Sequence, residues 1–143
     1  MFKTILLATD GSDLSNKAAQ STVAFAKEHG SKIVGLSVAT IYPYFPIVDG
    51  EVVSSSFIDA INKDAQKSVQ KITTLASEAG VPAEVYVVEG TSAYEEILKA
   101  AEKYHCDAIF MASHGRRGLD KLMLGSEAQK ILVHSKLPVM VFK

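Results

Sequence analysis

A chain of 143 residues, 48% of them hydrophobic, has the bulk for one buried core, so a single domain over residues 1–143 is expected. Fifteen basic residues against sixteen acidic ones leave a formal charge of -1. No global field then draws the chain to nucleic acid or to an anionic membrane surface, and any anion site must be local. The single cysteine, Cys106, excludes an internal disulfide framework and suits a reducing compartment. No signal-peptide pattern opens the chain and no apolar run approaches the roughly 18 residues of a membrane span, so the expected location is the cytoplasm.

Apolar runs of strand length alternate with longer segments at helical period. FKTILLAT (2–9) is too uniformly apolar for a sheet with one wet face and predicts a central parallel strand. It ends at Asp10-Gly11-Ser12, where Ser12 or Asp13 caps a helix over about 13–29, with Leu14, Ala18 and Phe25 on one face and Gly30 as its stop. KIVGLSVAT (32–40) is a second buried strand, in which Gly35 marks a close helix contact. Residues 41–56, IYPYFPIVDGEVVSSS, break the pattern, since Pro43 and Pro46 resist pairing and Asp49-Gly50 is a turn signal. A helix follows on Ile58, Ile61, Ala65, Val69, Ile72, Leu75 or Ala76, and Ala79, ending at Gly80. AEVYVVE (83–89) is the third strand, and Ser92-x-x-Glu95 reads as a capping box opening a helix through about Tyr104. DAIFMAS (107–113) is the fourth strand, GSEAQKILVHS one more helix, and PVMVF (138–142) the fifth strand.

Five strands with intervening helices predict an α/β fold: a doubly wound five-stranded parallel sheet in the order 3-2-1-4-5, with helices on both faces. Ligands in such folds bind beyond the carboxyl ends of the strands, where the strand order reverses. The loops after strands one and four, Thr9-Asp10-Gly11-Ser12 and Ser113 to Gly125, would face one crevice there.

The second loop lies in ASHGRRGLDKLMLGSEA (112–128). Gly125-Ser126-Glu127-Ala128 opens a helix whose free N–H groups and positive dipole end suit a phosphate. Gly115 and Gly118 allow close backbone approach, and Arg116 and Arg117 add positive charge. The same residues equally fit a plain turn, a helix cap and a solvated arginine pair. No GxxxxGK[ST] is present and no GxGxxG follows the first strand, so neither a Walker-type ATPase nor a nicotinamide-binding reading survives. Asp10, His114 and Ser126 are the candidates for phosphate chemistry, but they form no recognisable catalytic set. His29, His105 and His134 lack metal-ligand spacing, and Cys106 beside His105 cannot close a zinc site.

TILLATDGS, then SV near the end of the second strand, then MASHGRRGLDKLMLGSEAQKILVHSKLPVMVF together resemble a universal stress protein from end to end. The nucleotide-binding branch of that family carries Gly-x2-Gly-x9-Gly-Ser/Thr. Here the pattern falls on Ala112, Gly115, Gly125 and Ser126, with alanine at the first position. If that position needs a left-handed backbone, alanine costs on the order of 1–2 kcal/mol; if it only admits a ribose, the departure is one methyl.

The resemblance implies an ATP site, with AMP or ADP as alternatives and Mg2+ held by the phosphates. Ala8, Thr9, Asp10 and Val38 would surround the adenine side. Ala112, His114, Gly115, Arg116, Arg117, Gly118, Gly125, Ser126, Glu127 and Ala128 would wrap ribose and phosphates. It also implies a homodimer paired through strand 138–142, acting on a protein partner that the residues do not name. The expected function is an ATP-binding stress-response module with slow or no hydrolysis. The alternatives are a dimeric adaptor that binds no nucleotide, and a weak ATPase or adenylyl-transferring enzyme.

Overall fold

Strand and helix alternate throughout the computed structural model, which describes residues 1–41, 55–116 and 123–143. The elements are β1 Thr4–Ala8, α1 Asp13–His29, β2 Lys32–Thr40, α2 Ser55–Ala79, β3 Ala83–Gly90, α3 Ala93–Lys103, β4 Ala108–Ala112, α4 Ser126–His134 and β5 Val139–Phe142. The expected turn at Asp49-Gly50 lies outside the described residues, as does most of the 41–56 stretch. Every strand pair is parallel and the order is β3-β2-β1-β4-β5, as predicted. Central β1 pairs with β2 on one side and β4 on the other, Leu6 standing opposite both Val34 and Ile109. Among the described residues, no helix is long and apolar enough to cross a membrane.

Alternation along each strand sends side chains to opposite faces, so a sheet covered on both sides yields two cores. Ile5, Leu7, Ile33 and Phe110 pack with Val23 of α1 and Ile72 of α2. Leu6, Leu36 and Ile109 pack with Ile97 of α3 and Ile131 of α4. Ile5, Leu6 and Leu7 are fully buried. Each such side chain contributes roughly 1.5–3 kcal/mol by leaving water. Gly35 makes the predicted close contact: a Cβ there would lie 2.9 Å from Cδ1 of Ile72 on α2.

Helix α1 buries Ala18 of its expected face and packs Phe25 against the core, but its buried stripe is broader than the apolar pattern. Its buried side chains are Ser15, Ala18, Ala19, Thr22, Val23 and Ala26, while Leu14 and Phe25 are half-buried. Small residues let α1 sit close to the sheet. The two polar ones are satisfied locally, Thr22 Oγ1 donating to Ala18 O at 2.7 Å and Ser15 Oγ to the Asp10 carboxylate at 2.9 Å. Phe25 stacks on His29 and packs against Phe2 and the buried Phe110.

Strand β5 is an edge. Val139 and Val141 face the α3/α4 core and Phe142 the other one, while Met140 is 43% exposed. The carbonyls of Pro138 and Phe142 accept from Ile109 N and Ser113 N at 2.9 and 2.7 Å. By strand alternation, Val139 and Val141 then turn their N–H groups outward.

Candidate functional site

The loop after β1 is ordered by its own side chains. Thr9 N donates to Leu36 O at 2.9 Å, carrying the ladder one residue past the strand. Asp10 Oδ1 accepts from Ser12 N at 2.9 Å, an Asx turn, and from Ser15 Oγ at 2.9 Å. Ser12 Oγ caps α1 by accepting from Ser15 N at 3.3 Å, as the sequence suggested.

The other oxygen of Asp10 accepts from Arg116 N at 2.9 Å, a bond between residues 106 apart that joins the two loops facing the crevice. Burial works to raise the Asp10 pKa, but the Ser12 hydroxyl and N–H, the Arg116 N–H and the Ser15 hydroxyl together hold it below its ordinary value of 3.8. Asp10 therefore stays ionised with most of its acceptor capacity in use. A Cβ on Gly115 would collide with Asp10 Oδ2, so this glycine makes room for the clasp.

At the far end of the second loop, Ser113 N donates to Phe142 O and Gly125 N to Ser113 O, both at 2.7 Å. The first intrahelical bond of α4 runs from Gln129 N to Gly125 O at 3.0 Å. The N–H groups of Ser126, Glu127 and Ala128 precede it and have no acceptor within the helix. Gly125 has φ -61°, which any residue adopts. What requires glycine there is packing, since a Cβ would lie 3.1 Å from Ser113 O and 3.2 Å from His114 Cα. Ala112 is buried at the end of β4, opposite Phe142. Among the described non-glycine residues only His105 has a positive φ, so alanine at 112 carries no left-handed strain.

Two expected contributions are otherwise engaged. Ser92 makes no side-chain cap at the start of α3. Instead Glu127 Oε2, from the first turn of α4, accepts from Tyr94 N at 2.8 Å. The Glu127 carboxylate thus serves α3 through Oε2 and pairs with Lys130 through Oε1 at 3.5 Å, while its backbone N–H stays at the helix terminus. Arg116 Nη1 donates to Asp64 Oδ2 of α2 at 2.6 Å. His114 is half-buried, with Nδ1 3.1 Å from Ser113 Oγ. Arg117 and Gly118 lie outside the described residues.

Ala8, Val38 and Ala128 lie on the α3/α4 side of the sheet, whereas Arg116 reaches to α2 on the opposite side. An open cleft of ≈ 490 Å³ adjoins the second loop, with His114 and Gly115 on one wall and Ser12 and Lys17 on the other. Sequence spacing missed Ser15 and Asp64, the partners that fix Asp10 and Arg116. An acidic residue four positions before Ser68 on α2 carries no signal of its own. Among the described residues no three or more His, Cys, Asp or Glu side chains cluster as a metal site.

Fold and loops together define a doubly wound α/β protein with a helix N-terminus at the switch point of its sheet. The model of the universal stress protein family matches residues 1–143, and the chain belongs to that family. A universal stress protein of Methanocaldococcus jannaschii is 32% identical over 146 residues, covering 100% of this chain and 83% of its own. The solved structure of a second one from that organism, MJ0577, superposes with a TM-score of 0.82 at 27% identity, over 100% of this chain and 96% of its own. The universal stress protein of Archaeoglobus fulgidus in complex with dAMP shares the fold, with a TM-score of 0.70 at 15% identity over 100% and 98% of the two chains.

Proposed function

We propose that this universal stress protein binds an adenine nucleotide, ATP foremost, across the carboxyl ends of β1 and β4, and acts as a cytoplasmic stress-response module. The observation that carries the reading is the α4 terminus. Three N–H groups precede its first helical bond, beside a loop held by Gly125 N to Ser113 O at 2.7 Å. Ala8 and Val38 supply the apolar side for the base, and phosphates lie along Gly125 to Ala128. The dAMP held by the Archaeoglobus fulgidus relative supports the adenine assignment. Any Mg2+ would be carried by the phosphates. Turnover is slow or absent on this reading, because Asp10, the carboxylate of the loop after β1, is committed to three donors and is a poor base. Equilibrium dialysis at micromolar protein tests it: ATP is retained and GTP is not, and hours of incubation leave ATP intact. Failure to retain ATP would overturn the reading in favour of an adaptor that binds no nucleotide.

The exposed edge at β5 supports a homodimer in which two copies pair through residues 138–142, closed by a two-fold axis. Val141→Pro deletes an outward N–H, so it is expected to move the protein toward monomer in sedimentation equilibrium while its thermal transition remains cooperative. A wild-type chain that sediments as a monomer at micromolar concentration removes the dimer.

A further inference from the structure

Arg116 occupies an unusual position for a phosphate ligand. Its guanidinium is bonded at 2.6 Å to Asp64 of α2, and its Nη2 lies 2.9 Å from where a Cβ on Gly11 would stand. The side chain therefore crosses the loop after β1 toward the α1/α2 face, while the α4 terminus and Ala128 belong to the α3/α4 face. Its backbone is fixed separately by the Asp10 clasp, so the side chain can turn without opening the loop. Arg116 follows Ser113 by three residues, a span of at most about 11 Å, and Ser113 O holds Gly125 N. Arg116 and the α4 terminus are thus both tethered to Ser113, one through three residues of chain and the other through the Gly125 N–Ser113 O bond.

From this arrangement we infer that Asp64 is a specificity-determining residue for the phosphate end of the ligand. It holds the Arg116 guanidinium on α2 and yields it only to a ligand with enough negative charge to compete. The inference rests on the nucleotide site proposed above. Both partners are about half exposed, 51% and 52%. A pair so exposed is weakly held and screened by salt, hence exchangeable. A polyphosphate offers the guanidinium several charged acceptors in place of one carboxylate. Adenosine offers none and leaves the pair closed. AMP, with one phosphate, stands between. Exchange leaves Asp64 unpaired on α2, so phosphate number is reported on a helix that the ligand does not touch.

Calorimetric titration of wild type, Asp64→Asn and Arg116→Gln with ATP, AMP and adenosine tests this. Asp64→Asn removes the competitor while keeping the side chain's shape. It should tighten ATP by about two- to fivefold, the range of an exposed ion pair, and leave adenosine unchanged. In the Arg116→Gln background the same substitution should have no effect on ATP. An ATP-to-adenosine affinity ratio that is unchanged by Asp64→Asn overturns the inference. In parallel, the Arg116 Nε–H resonance is followed during titration with inorganic tripolyphosphate. If that signal moves in wild type and the pair responds to Asp64→Asn while no adenine compound binds, the exchange stands and the nucleotide reading fails. If ATP binds and the signal does not move, the nucleotide reading stands and the exchange fails.

Discussion

Asp10→Ala should lower the stability of the protein by about 2–3 kcal/mol near pH 7 and abolish ATP retention in dialysis. Three donors converge on this carboxylate: Ser12 N, Ser15 Oγ and Arg116 N, each at 2.9 Å. Ser15 is buried, so its hydroxyl loses an acceptor that water does not easily replace. Hydrogen bonds to a charged group contribute about 1.5–3 kcal/mol each, and the more exposed members here fall below that range. The functional loss is larger than the stability loss, since the only hydrogen bond described between the loop after β1 and the loop after β4 that uses a side chain disappears with the clasp.

The pH dependence has a defined sign. The folded pKa of Asp10 lies below 3.8. Its contribution is therefore complete above the unfolded value and fades as the pH falls through the folded one. Urea unfolding at pH 7 and pH 3 checks this: the gap between wild type and Asp10→Ala should narrow on the acid side. A gap that widens there, or an alanine variant as stable as wild type at pH 7, would show that the clasp contributes nothing.

Gly125→Val should weaken ATP binding by a factor on the order of 100, about 2.7 kcal/mol, with the sheet intact by circular dichroism. A Cβ would lie 3.1 Å from Ser113 O and 3.2 Å from His114 Cα. Both are backbone atoms, which cannot swing aside as a side-chain end can. Valine adds two further carbons, so the Gly125–Ser113 bond has to lengthen and the start of α4 moves away from the strand ends. Calorimetry on the purified variant gives the result; an unchanged affinity would mean that phosphates do not sit at this terminus.

The fold was legible because parallel strands buried on both faces leave uninterrupted apolar runs. KIVGLSVAT was delimited to the residue, and the strand order expected for the doubly wound sheet is the one observed. The α1 face was only partly legible, because Ser15 and Thr22 are buried with their hydrogen bonds satisfied by neighbours, and a pattern of apolar residues passes over them. Gly115 and Gly125 could be singled out by spacing, but spacing does not tell what presses on a missing Cβ. At 115 it is the Asp10 carboxylate, and at 125 it is the backbone of residues 113 and 114. The Ser92 motif had the right letters, yet the acceptor at the start of α3 comes from Glu127, which lies 33 positions away from Tyr94. Asp64 and Arg116 are likewise brought together only by the packing of α2 on the sheet.

The clasp also bears on when the site can exist during synthesis. Asp10 emerges well before its partner Arg116, which follows 106 positions later. Strands β1, β2 and β3 can pair as soon as they leave the ribosome, since β4 and β5 add on the far side of β1. The carboxylate of Asp10 must wait, held meanwhile only by Ser12 and Ser15. Closing so long a loop is a late event that the earlier strand pairing makes less costly in chain entropy. A nascent or prematurely terminated chain that ends before Arg116 would thus display β1, β2 and β3 paired, with the Asp10 clasp unmade.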